Sequence, residues 1–208
     1  MNKKGLLITL EGIDGSGKTL LAKNLLRELK ARNIDAILTK QPGGTPLGEK
    51  LRTILHEEKK HVNDMAEYLL FAADRAQHIT QIIKPALKAN NIVISDRMAD
   101  SSLAYQGYGR SLDIKKINVI NSWAMQNIEP DIIFYIEIDI KTAQERIFNR
   151  SDALTSFEKE KTEFWQKVIT GYNEIFKNRK NVIYLNGKDT PEKLTKICMD
   201  KILKIYEV

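Results

Sequence analysis

Short runs rich in apolar residues alternate along the whole chain with stretches whose apolar residues have helical spacing. The apolar runs, typical of buried strands, lie at 6–10, 35–40, 92–96, 132–138 and 182–185. The helical patterns lie at 20–32, 47–55, 66–88, 114–125, 142–150, 158–176 and 194–206. Because strands that alternate with helices form parallel sheets covered on both faces, we predict an α/β fold with a five-stranded parallel sheet.

Two interruptions refine this pattern. Pro85 lies inside the long helical stretch 66–88 and predicts a bend, since proline cannot donate a helical hydrogen bond. A polar break at 151–156 separates two helical patterns and is typical of a surface segment. We find no internal repeat, low-complexity segment or linker, so residues 1–208 are predicted to form one domain.

Composition limits the class of protein. The chain has 208 residues, of which 42% are hydrophobic and 29% charged, as in ordinary globular domains. The apolar runs, such as 132–136, are too short to span a membrane, and the stretch after Lys4 is too short for a signal peptide. The single cysteine, Cys198, lies in a helical pattern that favours core packing over a reactive thiol. We therefore expect a reducing, cytoplasmic setting.

The net charge is +6, from 33 basic and 27 acidic residues. A basic surplus suits either nucleic acid or small polyanions. Since the basic residues do not form one block, small phosphorylated ligands fit better than nucleic acid.

The strongest motif directly follows the first predicted strand and opens the first predicted helix. It reads Gly12-Ile13-Asp14-Gly15-Ser16-Gly17-Lys18-Thr19, which fits the P-loop pattern of glycine, four residues, Gly-Lys-Ser/Thr. Its glycines allow backbone N–H groups to surround phosphate oxygens at the positive end of a helix. Lys18 can reach the β- and γ-phosphates, and the Thr19 hydroxyl can hold Mg²⁺. The motif predicts binding of a nucleoside triphosphate such as ATP.

Three further segments point to the phosphoryl acceptor. Asp96 and Arg97 end a buried strand, where an acid can hold Mg²⁺ and an arginine can bind phosphate. Phe71 and Arg75 share a helix face and could stack on a base and hydrogen-bond its edge. Residues 101–110 are rich in hydroxyl, amide and aromatic groups. Taken singly, Asp96 and Arg97 fit an ordinary ion pair equally well, and Phe71 fits the core better.

Together these segments closely resemble the thymidylate kinases of the bacterial type. The matching residues extend along nearly the full chain, at 12–19, 42–45, 49–52, 70–75, 96–97 and 101–110. The resemblance implies a Mg²⁺-dependent kinase that transfers phosphate from ATP to dTMP, within a single P-loop domain carrying a short mobile lid. It also implies a homodimer.

The resemblance assigns roles in recognising the nucleoside. Phe71 would stack on thymine and Arg75 would hydrogen-bond the carbonyl edge of the base. Ser102 and Gln106 would also contact the base. Tyr105 would crowd the ribose 2′ position and so favour deoxyribose.

The resemblance also assigns roles around the phosphates. Arg97 would hold the phosphate of dTMP, with Arg52 near the same site. Asp14 and Asp96 would organise Mg²⁺ and the phosphates, beside Lys18. No general base is evident, and none is needed, because a phosphate monoester with a second pKa near ~6 is already ionised at pH 7.

Two departures from the family pattern stand out. Lys40 and Gln41 occupy positions where many bacterial relatives have Arg-Glu, which puts a phosphate or Mg²⁺ role there in doubt. Ser156 lies where a lid arginine is expected, within a predicted lid of about 146–158. The i,i+4 spacing puts Arg146 and Arg150 on one helix face. Arg150 is the preferred substitute because it lies nearer the polar break, and Arg146 is the second choice. Both fit solvated surface residues nearly as well.

Two other functions compete with this interpretation. A deoxynucleoside kinase would phosphorylate a neutral 5′-hydroxyl and need an acidic residue as base. A nucleic-acid-dependent P-loop ATPase would hydrolyse ATP in response to DNA or RNA, with strong salt dependence. The absence of a dispersed basic face argues against the second.

Overall fold

A computed structural model describes residues 4–56, 62–150 and 154–206. Within these ranges five strands form one all-parallel sheet in the order β2-β3-β1-β4-β5. The strands are β1 (Leu7–Glu11), β2 (Ala36–Lys40), β3 (Ile92–Asp96), β4 (Ile132–Glu137) and β5 (Val182–Asn186). The predicted α/β fold with a five-stranded parallel sheet is confirmed.

Helices connect the strands and cover both faces of the sheet. They are α1 (Lys18–Ala31), α2 (Pro46–His56), α3 (Asp64–His78), α4 (Lys84–Lys88), α5 (Ala99–Ser102), α6 (Ile114–Ala124), α7 (Ile140–Phe148), α8 (Thr162–Phe176) and α9 (Pro191–Tyr206). Two π-helical segments, Ile79–Ile83 and Leu103–Gly109, continue α3 and α5.

The core consists of apolar layers on the two sides of the sheet. On one side, β1, β3 and β4 pack against α1 and α9, and the buried thiol of Cys198 lies in this layer. On the other side, α8 covers β4 through Trp165, Val168 and Tyr172. The π-helical segment Ile79–Ile83 covers β1 and β3 on this side. Burial on both faces explains why the central strands are apolar at nearly every position.

Three helical predictions differ from the structure. The stretch 66–88 is helical, but a widened π-helical turn precedes Pro85, whose ring nitrogen cannot donate to the carbonyl of Gln81. Helix α8 begins at Thr162 rather than at residue 158. Residues 99–109 are helical, although their hydroxyls and glycines gave no helical pattern.

Candidate active site

The loop at 12–17 joins β1 to α1 and has the backbone shape of a phosphate cradle. Gly12, Gly15 and Gly17 have φ values of 141°, 78° and 100°, in the region that favours glycine. A Cβ on Gly15 would lie 2.4 Å from the carbonyl oxygen of Ala143, so a side chain is excluded there. Because α1 starts directly after the loop, its N-terminal N–H groups face the same space.

Lys18 is the first residue of α1, and its side chain folds back over the loop. Its ammonium donates to the carbonyl oxygen of Ile13 at 2.7 Å and to Ser16 Oγ at 3.3 Å. Burial, and then the positive charge of Arg97, lower the pKa of Lys18 to about 8, although nearby carboxylates oppose the shift. A polyphosphate bound in the loop would stabilise the charged form of Lys18. The ammonium already lies over the loop, so the site is preorganised for an anion.

Thr19 and Asp96 meet at the edge of the cradle. Strand β1 pairs with β3, with Leu10 opposite Asp96, and Thr19 Oγ1 donates to Asp96 Oδ2 at 2.5 Å. Hydroxyl and carboxylate oxygens are the ligands that Mg²⁺ prefers, and Mg²⁺ usually keeps several waters beside one or two protein oxygens. The donor set present here therefore fits a magnesium ion, as predicted for these two residues.

Arg97 connects the loop to the residues expected to bind the acceptor. It follows β3 in a left-handed conformation with φ 71°, which directs its side chain back across the loop. Its guanidinium donates to Asp14 Oδ1 at 2.5 Å, to the Tyr105 hydroxyl at 2.9 Å, to Ser101 Oγ at 3.0 Å and to the Gly12 carbonyl at 2.9 Å. Tyr105 in turn donates to Asp14 Oδ2 at 3.1 Å. Three predicted site residues, Asp14, Arg97 and Tyr105, are thus brought together.

The charges in this cluster balance one another. Burial alone would raise the pKa of Asp14, but Arg97 and then Lys18 outweigh it and hold the pKa at about 2. The pKa of Arg97 is raised well above its usual value, because Asp14 more than offsets its burial. At neutral pH the loop therefore presents a carboxylate held between two cations.

Glu11, the last residue of β1, supports Arg97 and was missed by the sequence analysis. It is fully buried and accepts hydrogen bonds from the Met98 backbone N–H at 2.8 Å, Ser101 Oγ at 2.6 Å and the Tyr172 hydroxyl at 3.0 Å. Burial, and then Asp100, raise its pKa to about 7. An acid that ends an otherwise apolar strand, directly before the loop, was the available signal.

A second polar cluster lies on α3 and α5. Arg75 is buried and donates to Ser102 Oγ at 2.8 Å and to Asn121 Oδ1 at 2.7 Å, while its Nε has no hydrogen-bond partner among the described residues. Tyr68 donates to the same asparagine oxygen at 3.2 Å. Phe71 lies on the same helix and is half-buried. The predicted pair of Arg75 and Ser102 is thus in contact, held by an asparagine on α6 that the sequence did not reveal.

Aromatic rings line the space beside this cluster. The ring of Phe157 lies 6.0 Å from that of Phe71 and 5.7 Å from that of Tyr105, measured between centroids. Gln106 is buried and its Nε2 donates to Glu67 Oε1 at 3.0 Å. Phe157 lies within the predicted lid, so the lid contacts the two rings expected to hold the nucleoside.

The loop after β2 carries the departures from the family pattern. Gln41 is buried and its Nε2 lies 2.8 Å from His78 Nδ1. Lys40 is exposed and ion-paired with a glutamate of α2 at 3.0 Å. Arg52 on α2 donates to the Pro42 carbonyl at 3.0 Å. Gln41 and Lys40 thus have structural contacts of their own, and Arg52 is fixed against this loop.

The lid arginines are placed differently from the prediction. Helix α7 ends at Phe148, so Arg150 lies beyond it, and the prediction that Arg146 and Arg150 share one helix face is wrong. The capping carboxylate of Asp139 sets the start of α7 earlier than the pattern indicated. Arg150 pairs with Glu158 instead of the loop at 12–17, and Arg146 donates to a carbonyl after β5 at 2.9 Å.

Ser156, where the family pattern expects a lid arginine, is bonded to α2. Its Oγ donates to the Leu55 carbonyl at 3.0 Å. Residues 151–153 of the predicted lid lie outside the described residues. The contact joins residues 154–158 of the predicted lid to α2.

A glycine loop before a helix, a lysine folded over it and a hydroxyl–carboxylate pair define a P-loop nucleotide-binding protein. Arg97 and the buried polar cluster of Arg75 and Ser102 beside the loop suit a second substrate that carries a phosphate, as in a P-loop kinase. The family model described as Thymidylate kinase matches residues 10–197. The chain belongs to the thymidylate kinase family, which confirms the resemblance.

Curated thymidylate kinases are similar in sequence to this chain over most of their length. A thymidylate kinase of Thermosipho africanus is 41% identical over 182 residues, covering 88% of this chain and 90% of the relative. One of Halothermothrix orenii is 40% identical over 185 residues, covering 86% and 88%. One of Fervidobacterium nodosum is 38% identical over 201 residues, covering 97% and 98%. Among the described residues, no helix is both long and apolar enough to cross a membrane.

Proposed function

We propose that this chain transfers the γ-phosphoryl group of ATP to dTMP, giving dTDP and ADP. The observation that carries the proposal is the position of Arg97, which contacts Asp14 in the phosphate loop and Tyr105 on the acceptor side. One guanidinium thus reaches the places where donor and acceptor phosphates would meet. Membership of the thymidylate kinase family supports the same reaction.

The donor phosphates would lie in the loop at 12–19. Its backbone N–H groups and the N-terminus of α1 would bind the phosphate oxygens, and Lys18 would turn from its carbonyl partner towards the β- and γ-phosphates. Thr19 and Asp96 would hold Mg²⁺, directly or through water. When bound, the ion neutralises charge that develops on the transferring group.

The acceptor base would lie between the rings and the buried arginine. Phe71 would stack on thymine, and Arg75 with Ser102 would bind its carbonyl edge. The unpartnered Nε of Arg75 supports this role, since a buried donor without a partner is costly. Gln106 would contact the base beside them, and Tyr105, held by Asp14 and Arg97, would crowd the 2′ position.

The reaction needs positioning and charge rather than proton removal. A non-bridging phosphate oxygen of dTMP forms a bond to the γ-phosphorus, while the bond between that phosphorus and the β-bridging oxygen breaks and ADP leaves. Arg97 would hold the acceptor phosphate, with Arg52 nearby, and Lys18 would screen the donor. Holding two anions in line in this way provides a large part of the reduction in the activation barrier.

A further positive charge on the transferring phosphoryl group would come from an arginine of the lid. Arg150 is proposed to exchange its partner Glu158 for the triphosphate when both substrates are bound. Arg146 is held at the loop after β5 and is the second choice.

A coupled assay of ADP release across dTMP, dUMP, dCMP, dGMP, UMP and thymidine tests the proposal. We expect dTMP to be the preferred acceptor and EDTA to abolish turnover. Preference for thymidine would support a deoxynucleoside kinase. ATP hydrolysis that needs DNA or RNA rather than a monophosphate would support a nucleic-acid-dependent ATPase.

We also propose that the chain works as a homodimer in the cytoplasm. Helices α3 and α6 pack together, and each exposes apolar side chains: Met65 and Leu69 on α3, Val119 and Trp123 on α6. Trp123 is 84% exposed, an unusual state for the largest apolar residue and typical of an interface. Light scattering of the wild type and of Trp123→Asp tests the assembly. A monomeric wild type would contradict it.

A further inference from the structure

Arg110 lies between the end of the predicted lid and the residues proposed to bind the acceptor base. It directly follows the π-helical segment Leu103–Gly109, and its backbone N–H donates to the Tyr105 carbonyl at 2.9 Å. Its guanidinium lies over two rings, 4.7 Å from the centroid of Phe164 and 5.6 Å from that of Phe157. Its side chain is 18% exposed, so its ion pairs are largely shielded from water.

Three acidic residues lie around this guanidinium. The two nearest, Glu160 and Glu67, come from different parts of the chain, and the third, Asp64, has an oxygen 3.7 Å from its Nε. Glu160, which follows the lid, pairs with its Nη1 at 2.5 Å. Glu67 on α3 accepts from Nη2 at 3.4 Å through Oε2 and from Nε at 3.5 Å through Oε1. A planar guanidinium can bind two carboxylates at once in fixed directions, which a lysine cannot do. Arg110 therefore links the end of the lid to α3.

Glu67 also binds the side-chain amide of Gln106. Its Oε1 accepts from Gln106 Nε2 at 3.0 Å. Because Arg110 donates to both oxygens of Glu67, both act as acceptors, and the group of Gln106 that faces them must be the NH₂. The amide of Gln106 is thereby fixed in one of its two orientations, with its carbonyl oxygen on the opposite side.

We propose that Glu67 and Arg110 are positioning residues that fix the Gln106 amide so that its carbonyl oxygen accepts the N3–H of thymine. Glu160 connects this orientation to the position of the lid. Thymine presents a donor at N3 and cytosine an acceptor, so a fixed carbonyl oxygen favours the former and repels the latter. The inference rests on the proposed function, since it needs dTMP beside Gln106.

The test compares dTMP with dCMP on one preparation of enzyme. The KM for dTMP and the competitive Ki of dCMP are measured for wild type and Glu67→Gln, a change of nearly equal volume. A glutamine at 67 can present either of its groups, so the Gln106 amide is free to turn. We expect the ratio of dCMP Ki to dTMP KM to fall tenfold or more, with the KM for ATP within twofold.

Neither constant depends on the fraction of folded enzyme, so a loss of stability cannot imitate this result. Arg110→Lys keeps the positive charge but loses the planar guanidinium that binds two carboxylates. It should also lower the ratio of dCMP Ki to dTMP KM. A ratio within twofold of wild type in both variants would overturn the inference. A wild type that does not phosphorylate dTMP would instead overturn the proposed function.

The link to the lid has its own test. Glu160→Gln should lower the ratio about threefold to fivefold, and adding it to Glu67→Gln should cause no further loss, because both act through one chain of contacts. Glu163→Gln, the same change at an exposed position at the start of α8, is the matched control and should match wild type. Fully additive effects, or an equal effect of Glu163→Gln, would show that the lid does not act through Arg110.

Discussion

Replacing Arg97 with lysine keeps one positive charge but removes the fork that joins donor and acceptor sites. The guanidinium binds Asp14 and Tyr105 through one nitrogen, and the Gly12 carbonyl and Ser101 through the other. A single ammonium cannot reach all four groups. If about two charged hydrogen bonds to the reacting phosphates are lost, at about 1.5–2 kcal/mol each, about 3–4 kcal/mol of transition-state stabilisation disappears.

We therefore expect kcat/KM for dTMP to fall about a hundredfold to a thousandfold in Arg97→Lys, since about 1.4 kcal/mol corresponds to tenfold. Steady-state kinetics with each substrate varied in turn measure this loss. Arg32→Lys, which alters an exposed arginine paired with Glu28 on α1, is the control and should be unchanged. A value of kcat/KM within threefold of wild type would refute the role of Arg97.

The charge of Arg97 also has a signature in acid stability. The pKa of Asp14 is lowered from 3.8 to about 2, which corresponds to about 2 kcal/mol of stability. Because the folded pKa is the lower one, this contribution is complete above pH 4 and is lost as the pH falls towards 2. Arg97→Met, which removes the charge, should lose stability less steeply across that window in urea unfolding. An unchanged slope would contradict the assignment of Arg97 as the main cause.

Three further predictions concern single residues. The pKa of Lys18 is about 8, so affinity for ATP, measured by calorimetry, should weaken as pH rises from 7.5 to 9.5; in Lys18→Ala it should be weak throughout. Arg75→Ala should weaken dTMP binding by about 1–3 kcal/mol and leave ATP binding unchanged; an equal loss for ATP would indicate a structural role. Arg150→Ala should lower kcat and kcat/KM together, about tenfold to a thousandfold, while a change of less than threefold would place the clamp elsewhere.

The sheet and the phosphate loop could be predicted from sequence because their signals are local. Strand β3 was predicted at its observed bounds, since Ile92, Val93 and Ile94 are β-branched and buried on both faces. The loop at 12–19 needs only its own glycines and the helix that follows. In both cases the pattern of neighbouring residues was enough to predict the element.

The partners of the site residues could not be predicted because they are distant in sequence. Asn121 holds Arg75 across 46 positions, and Glu11 binds Tyr172 across 161. Helical spacing identified Phe71 and Arg75 as sharing one face, but it could not show that Phe157 from the lid would pack against that face. Pattern analysis therefore identifies the side chains that meet a ligand better than those that hold them in place.

The departure at Gln41 shows how such a partner changes the interpretation of a residue. Burial, and then Arg75, lower the pKa of His78 to about 4, so its ring is neutral at physiological pH. One neutral tautomer satisfies both contacts, with Nδ1 accepting from Gln41 and Nε2–H donating to Thr39 Oγ1 at 2.5 Å. A carboxylate at position 41 would place a buried charge beside a ring whose protonation burial opposes. The uncharged amide thus matches its neutral partner, and the positive charge needed for phosphate remains with Arg97 and Lys18.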